Sequence, residues 1–583
     1  SQYKKDCVYA LNVLASAHFG GSGSSATGLF YLKRAMQIGD EDMLEDVYAN
    51  YAAELANLGD AEGAADAFVT SFWISVAKGA MPRLGTLIRR AILVPGVHTG
   101  DGPRSVEDLR VGFRRRVKDL IALGRYGGVT WSDDRSDLFR VSRGVSDPEK
   151  IKCLPPLQDT FDDWTNGVQT PHFYLHYHGF HDRDYNELIA QMYSLLCPES
   201  LYEVSPRLLL SNYQLSPLVD ARNAPSIPTN ATTALALLTP PTSFQNAAKT
   251  TQVATSSPSS SPSSQSDDNS STRGKKLRIA FVSSHFGAEE PHGLLLLDVL
   301  RRLPRHLFEI IALGVGPRRP HDDFIRLVGG DGRYHGVGYN DFLAREILFR
   351  EALDAVVFAE MQNEAMVHFL GYQRFAPVQI LLMGAPVTSG NPNVDYFLSG
   401  DRLEHPFRTR LSDRQEPYTE QVVLFDGQAI SFPPHDESFS FGGSVDDNST
   451  DAGGDDNFGI PGNIGGGAIY MCFQSLWKIQ PLFDFVIGMI LHADPSGRVV
   501  LQAARDDHAL RTNKMAERML ISFKKHFCAS AAADAACPLA NELMSRVIFI
   551  PRVPSPDVID VLRRASVVLH PFPFGGSKTA ADV

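Results

Sequence analysis

The sequence predicts an α/β protein: two Rossmann-like domains in tandem behind an α-helical, tetratricopeptide-like region. Three observations carry this. Short apolar runs alternate with helical stretches from residue 277 onward. Strands alternating with helices imply βαβ units and a parallel sheet. Large and small apolar residues recur at helical spacing between residues 27 and 76. Two stretches of low complexity separate these blocks. The length, 583 residues, fits three or four units at a prior of roughly 150 residues each.

In the helical region (1–125) the clearest copy of a repeat runs Tyr48, Tyr51, Ala52, Leu55, Gly59, Ala64, Phe68. Apolar residues are followed by a Gly59-Asp60 turn and then by Ala64, one turn before Phe68. This fits the tetratricopeptide pattern, in which small residues let paired helices approach closely. It also fits an ordinary helical hairpin. Such repeats stack on one another and present a concave surface, so further copies are expected before Ser1, and other proteins are the expected partners of this surface. Arg110, Arg114 and Lys118, with Arg115 and Arg116 beside them, fit one solvated helix face.

Residues 126–221 read as a helical and extended connector. Phe173 to Gly179 (FYLHYHG) is short and aromatic, which suits a buried strand or an extended linker. His176, His178 and His181 invite a metal reading, but no carboxylate or cysteine set accompanies them, and packing among aromatic residues explains them better. Residues 222–276 form a linker; Ser256 to Thr272 is almost wholly Ser, Pro, Gln, Asp, Asn and Thr, which cannot bury apolar surface and is expected to be disordered.

The first α/β block (277–435) opens with the apolar run Leu277 to Val282, then a helix from about Pro291 to Leu303. Further runs are Phe308 to Leu313, Ala355 to Ala359 and Val378 to Met383. Residues 436–467 form a Gly/Asp/Asn/Ser-rich insertion. The second block (468–583) has runs at Ala468 to Phe473, Arg498 to Gln502, Val547 to Ile550 and Val567 to Leu569, with helices between.

Charge and composition exclude several classes. The net charge of −12 and the lack of a long basic stripe argue against nucleic-acid binding. No apolar run reaches the ~20 residues of a membrane helix, and no signal peptide opens the chain. The six cysteines contain no CxxC pair, so no zinc ribbon or thioredoxin-type site is expected. Scattered single cysteines suit a reducing compartment, cytoplasm or nucleus.

Four segments carry a family resemblance, in order: LRIAFVSSHFG (Leu277 to Gly287), FAPVQILLMGAPVTSGNPNVDYFLSGDRLEHP (Phe375 to Pro406), YMCFQSLWKIQP (Tyr470 to Pro481) and LHPFPFGGSKTAADV (Leu569 to Val583). Together they resemble the O-GlcNAc transferase and Spindly family, with the bacterial-like branch closest through QSLWKI and PFPFGG. The upstream segment Phe173 to Tyr193 resembles it more weakly. The resemblance implies the two-domain GT-B architecture and an inverting, metal-independent transfer of N-acetylglucosamine from UDP-GlcNAc to Ser or Thr hydroxyls of intracellular proteins, with no cofactor beyond the donor. The alternatives are a GDP-fucose-dependent protein O-fucosyltransferase and a noncatalytic repeat scaffold with a degenerate transferase domain.

A departing diphosphate needs positive potential, which a lysine and a helix N-terminus can supply. Lys478, after a strand and before a helix, aligns with the family's diphosphate-contacting lysine. The turn Gly575-Gly576-Ser577-Lys578-Thr579 follows a strand, and glycines there allow close approach to phosphate. It lacks the upstream glycine of GxxxxGK[ST], which disfavours a P-loop ATPase. The resemblance places Thr579 at a phosphate-contacting position and Asp582 at the ribose. Gly384, Pro386, Thr388 and Ser389 follow the run Val378 to Met383, at the C-terminal end of the sheet where ligands of open α/β folds bind; they also suit a Gly/Pro turn with hydroxyl caps. His292 is the candidate catalytic histidine.

The sequence departs from the family at several points. Ser475 stands where animal enzymes have a donor-site glutamine, with Gln474 one position earlier. Ala385 replaces a histidine of the bacterial-like branch, Ser577 replaces an animal histidine, and Gly293 falls at the animal catalytic-site histidine when no gap is allowed. The chain stops at Val583 inside the fourth motif, so a longer C-terminal domain is expected.

Overall fold

The computed structural model describes most of residues 2–126, 170–196, 276–427 and 467–576, with short gaps within them, together with residues 129–131, 139–141 and a few positions between 203 and 208. The N-terminal region is helical: α1 (Gln2–Phe19), α2 (Ser25–Ile38), α3 (Leu44–Leu58), α4 (Ala61–Ala77), α5 (Leu84–Ala91) and α6 (Pro103–Tyr126). Helix α1 packs on α2 and α3 on α4. Ala52, Leu55, Ala64 and Phe68 fill the α3–α4 seam, where the small side chains let the backbones close on each other. Asp60 starts α4 by accepting from the Gly63 amide through Oδ1 at 3.2 Å, an N-terminal cap.

The α6 arginines do not form a solvated face. Arg110 is buried, donates to Asp182 Oδ1 at 2.7 Å and lies 4.3 Å from the Tyr185 ring centroid. Arg116 donates to the carbonyls of Ala91 and Leu93 at the end of α5, both at 3.3 Å; burial lowers its pKa to about 10. Arg115 and Lys118 are exposed and Arg114 partly so. The spacing hid this because a guanidinium can satisfy several buried acceptors at once.

The connector contributes β1 (Val129–Trp131), antiparallel to β2 (Phe139–Val141), a 3-10 turn at Pro171–Tyr177, and α7 (Arg183–Leu196). The aromatic segment is thus a helical turn rather than a strand. Pro171 presets φ for helix entry, and Gly179 ends the segment at φ +77, which favours glycine.

The first sheet comprises β3 (Leu277–Ser283), β4 (Phe308–Val315), β5 (Tyr334–Gly338), β6 (Ala355–Phe358), β7 (Val378–Leu381), β8 (Tyr396–Gly400) and β9 (Gln421–Phe425). Its order is β5-β4-β3-β6-β7-β8-β9, parallel throughout. Helices α8 (Pro291–Arg302), α9 (Asp322–Val328), α10 (Asp341–Arg350) and α11 (Ala365–Leu370) connect the strands. Alternation along the strands builds two cores. Ala280, Val282, Ile311, Leu313, Val356 and Phe358 face one side, and Phe281, Ile310, Ala312 and Val357 the other. The first core is continuous with Ile88, Phe113, Leu175 and Tyr193, so the helical region and this sheet share one apolar interior.

The second sheet has β10 (Ile469–Cys472), β11 (Arg498–Gln502), β12 (Val547–Ile550) and β13 (Val567–Val568), parallel in the order β12-β11-β10-β13. Its helices are α12 (Pro481–Ala493), α13 (Ala509–Phe527), α14 (Pro538–Ser545) and α15 (Val558–Leu562). Cys528 and Cys537 are joined by a disulfide, against the reading of scattered single thiols; only nine positions separate them, so closing the loop costs little chain entropy. No helix among the described residues is long and apolar enough to cross a membrane.

Candidate phosphate site at the edge of the second sheet

Strands β10 and β13 are neighbours, with Tyr470 opposite Val567 and Met471 opposite Val568. The loops leaving their C-terminal ends therefore lie side by side. This is how Lys478 and Gly575, 97 positions apart, come to touch. Lys478 ends the 3-10 turn Leu476–Lys478, just before Pro481 opens α12. Its Nζ donates to Gly575 O at 3.1 Å and to Gln474 Oε1 at 3.2 Å, and it lies 5.4 Å from the Phe574 ring centroid. Burial lowers the ammonium to about 8. Its partners are neutral: among the described residues no carboxylate pairs with it. A desolvated cation without a counter-ion is a ready place for an anion.

The glycines of this turn pack closely against two side chains. A Cβ on Gly575 would stand 1.6 Å from His570 Cε1, and one on Gly576 would stand 2.3 Å from Gln474 Nε2. His570 Nε2 lies 3.1 Å from the Gly576 amide nitrogen and supports the turn from below. Its position after a strand at a parallel-sheet edge was the signal that could have found it. Ser475 accepts from the Lys478 amide through its carbonyl at 2.9 Å, while its hydroxyl makes no capping bond. Ser577, Lys578, Thr579 and Asp582 lie outside the described residues, as do Gly384, Ala385 and Pro386.

Thr388 and Ser389 are buried and their hydroxyls are engaged. Thr388 Oγ1 donates to Glu420 Oε2 at 2.6 Å, and Ser389 Oγ donates to Glu420 Oε1. The Thr388 carbonyl accepts from Asn186 Nδ2 at 2.8 Å and Gln362 Nε2 at 2.6 Å. These bonds tie β7, β9 and α7 together, and neither residue is among the contacts of Lys478.

His292 sits in the first turn of α8, its ring centroid 5.1 Å from that of His285. His285 Nδ1 lies 2.9 Å from Ser284 Oγ and 3.4 Å from Glu360 Oε1. Glu360 is fully buried and accepts from Ser283 Oγ at 2.7 Å. The group gathers at the C-terminal ends of β3 and β6, apart from the side chains touching Lys478. Gly293 holds the loop against the helix: a Cβ there would lie 1.8 Å from Gly287 O. Sequence reading missed His285 and Glu360; a carboxylate directly after the apolar run Ala355 to Ala359 was the available signal.

The connector histidines pack among rings. His172 lies 5.2 Å from His368 and His176 5.9 Å from Phe173, while His181 meets Glu416 at 3.1 Å. No group of side chains among the described residues could hold a metal ion. Burial lowers His172 to about 4 and His176 to about 3, and His368 well below the usual range. Unfolded histidines protonate near 6.5, whereas these stay neutral until lower pH. Their contribution to stability therefore falls as pH drops from about 6.5 towards 4. Replacing His172 with Phe is expected to reduce the stability lost between pH 7 and pH 5 by about 2 kcal/mol, read from urea midpoints at the two pH values.

No protein-family profile matches the sequence, and no curated protein matches it. Among solved structures the chain is similar to a mutant of the O-GlcNAc transferase of Thermobaculum terrenum, with a TM-score of 0.50 and 17% identity over 99% of this chain and 81% of that one. The apo form of the lipopolysaccharide outer core galactosyltransferase WaaB matches at a TM-score of 0.26 and 10% identity, over 50% of this chain and 72% of that one, too distant to carry an argument. At these identities the likeness speaks to architecture: the chain has a glycosyltransferase-like GT-B fold behind a helical N-terminal region.

Proposed function

We propose that this chain is a nucleotide-sugar-dependent protein glycosyltransferase, moving N-acetylglucosamine from UDP-GlcNAc to Ser or Thr hydroxyls of intracellular proteins with inversion and without a metal. The observation that carries the reading is Lys478: a desolvated ammonium with only neutral partners, at the C-terminal ends of the strands of a parallel sheet, against a closely packed glycine turn. Such strand ends are where nucleotide ligands of open α/β folds bind.

In the proposed reaction the bond between the sugar's anomeric carbon and the diphosphate oxygen breaks as the acceptor oxygen bonds to the opposite face. The diphosphate leaves with the bonding electron pair. Lys478 and the N-terminus of α12 offset that charge. Gln474, Ser475, Gly575 and Gly576 lie at the same turn; Ser577, Lys578, Thr579 and Asp582 follow in the sequence, with Thr579 proposed to contact phosphate and Asp582 the ribose on the family resemblance. The acceptor hydroxyl's proton passes to a base; His292, beside His285 and the buried Glu360, is the candidate. Acceptor proteins are proposed to bind along the helical region.

The test offers the full-length chain radiolabelled UDP-GlcNAc and GDP-fucose in parallel, with a cell-extract acceptor pool and a chelator present. Label on protein from UDP-GlcNAc is expected. Label from GDP-fucose alone would move the donor assignment to fucose, and label from neither would contradict the transferase reading.

A further inference from the structure

The turn that carries FYLHYHG touches the phosphate site directly. Gly179 faces Pro573 so closely that a Cβ would lie 2.5 Å from Pro573 Cγ. Tyr177 meets Phe574 edge-on at 5.2 Å. Tyr174 lies 6.0 Å from Trp477, and the Arg511 guanidinium covers both rings at 5.6 and 5.9 Å. Two of these partners, Phe574 and Trp477, adjoin Lys478 directly, and Pro573 precedes Phe574 in the same loop. Phe574 lies against its ammonium, Gly575 accepts from it, and Trp477 precedes it in the chain.

The other side of the turn is anchored. Leu175 is fully buried in the core shared by the helical region and the first sheet, and the buried Arg110 donates to the His181 carbonyl at 2.9 Å and to Asp182. The loop it touches has less support of its own. It leaves β13, a strand of only two residues at the sheet's edge. His570 and Lys478 bond its glycines and Phe483 meets Phe572, while Tyr177 and Gly179 pack on the Pro573-Phe574 stretch between.

We infer that the turn Pro171–Gly179 is a positioning element of the phosphate site, with Tyr177 and Gly179 fixing where Phe574 and Gly575 stand against Lys478, so that affinity for a nucleoside diphosphate depends on how the helical region is docked. The inference rests on the diphosphate reading of Lys478. It links the region proposed to hold acceptor proteins to the site proposed to hold the donor. Tyr177 and Gly179 act through the loop and need not touch the nucleotide.

The experiment titrates UDP and GDP into the full-length chain and into folded variants, with thermal unfolding recorded for each. Tyr177→Leu is expected to weaken nucleotide binding by about two- to thirteenfold, the range of one edge-to-face aromatic pair, and Tyr177→Phe to restore it. Phe574→Leu should cost at least as much, because it also removes the ring beside the Lys478 ammonium. The double variant Tyr177→Leu/Phe574→Leu should bind no more weakly than Phe574→Leu alone, because the Tyr177–Phe574 contact is already lost there. Gly179→Ala, which drives a methyl into Pro573, should weaken binding as well, and it carries the test if Tyr177→Leu does not fold. Wild-type affinity in folded Tyr177→Leu and Gly179→Ala, or losses that simply add, overturns the positioning role and leaves the site standing. No binding of either nucleotide to the wild-type chain overturns the site and the inference together.

Discussion

Replacing Lys478 with alanine is expected to abolish sugar transfer and leave the fold intact. The loss in rate should be about 10²–10³-fold or more, the scale seen when a preorganised group facing developing negative charge is removed. The fold should survive because no buried charge is orphaned. Lys478 donates to a carbonyl and an amide oxygen, and its ammonium is already disfavoured by burial. Losing two such hydrogen bonds costs about 1–3 kcal/mol, partly offset by relief of that desolvation. Transfer assays beside thermal unfolding separate the two effects. Normal transfer by the folded variant would remove Lys478 from the chemistry.

The largest stability effect is expected at Arg518. It lies on α13 and is 1% exposed, while its partner Asp484 on α12 is 0% exposed. The pair is bidentate: Nε reaches Asp484 Oδ2 at 2.7 Å and Nη2 reaches Oδ1 at 2.8 Å. The same Nη2 donates to the Ile479 carbonyl at 2.7 Å, the residue after Lys478. Burial pushes the Asp484 carboxyl upward, and Arg518 opposes that shift. Arg518→Met would leave the carboxylate buried without its cation, and the expected loss is about 3–5 kcal/mol. Arg518→Met combined with Asp484→Leu should recover much of it, since replacing both charges with apolar groups is often neutral. Urea unfolding of the two variants decides the matter; equal loss in both would show that the pair's shape, rather than its charge, is what the site needs.

Much of the fold was legible in residue pattern. The centres of runs such as Leu277 to Val282 and Arg498 to Gln502 are buried on both faces of parallel sheets, so they read as continuous apolar stretches. Strands β5, β8 and β9 were not read. Tyr334–Gly338 carries two glycines and Tyr396–Gly400 ends in Ser-Gly, so their strand signal is weak. Gln421–Phe425 lies at the sheet edge, where packing selects sequence less. The turn Pro171–Tyr177 was misread because seven residues are too few to establish a period.

At the site, Lys478 and its glycine turn were legible because a cation after a strand and adjacent glycines each leave a local mark. His570, His285 and Glu360 were not, because their roles arise from partners brought together by strand order. Arg110 shows the same limit: helical spacing gave its face, but Asp182, 72 positions away, decided its burial. Thr388 and Ser389 stand at the anticipated C-terminal end of the sheet, yet Glu420 on the neighbouring connection engages both hydroxyls.

The most direct test of Lys478 as the diphosphate-binding cation is proton uptake on nucleotide binding. With its ammonium lowered to about 8, roughly half of Lys478 is unprotonated at pH 8. A bound diphosphate would raise that pKa, so UDP or GDP binding at pH 8 should take up a fraction of a proton. Calorimetric titrations in two buffers of different ionisation enthalpy measure it. Uptake in the wild-type chain that disappears in Lys478→Ala, together with a large loss of affinity, is the expected result. Nucleotide binding without proton uptake, and equally tight in Lys478→Ala, would contradict the account.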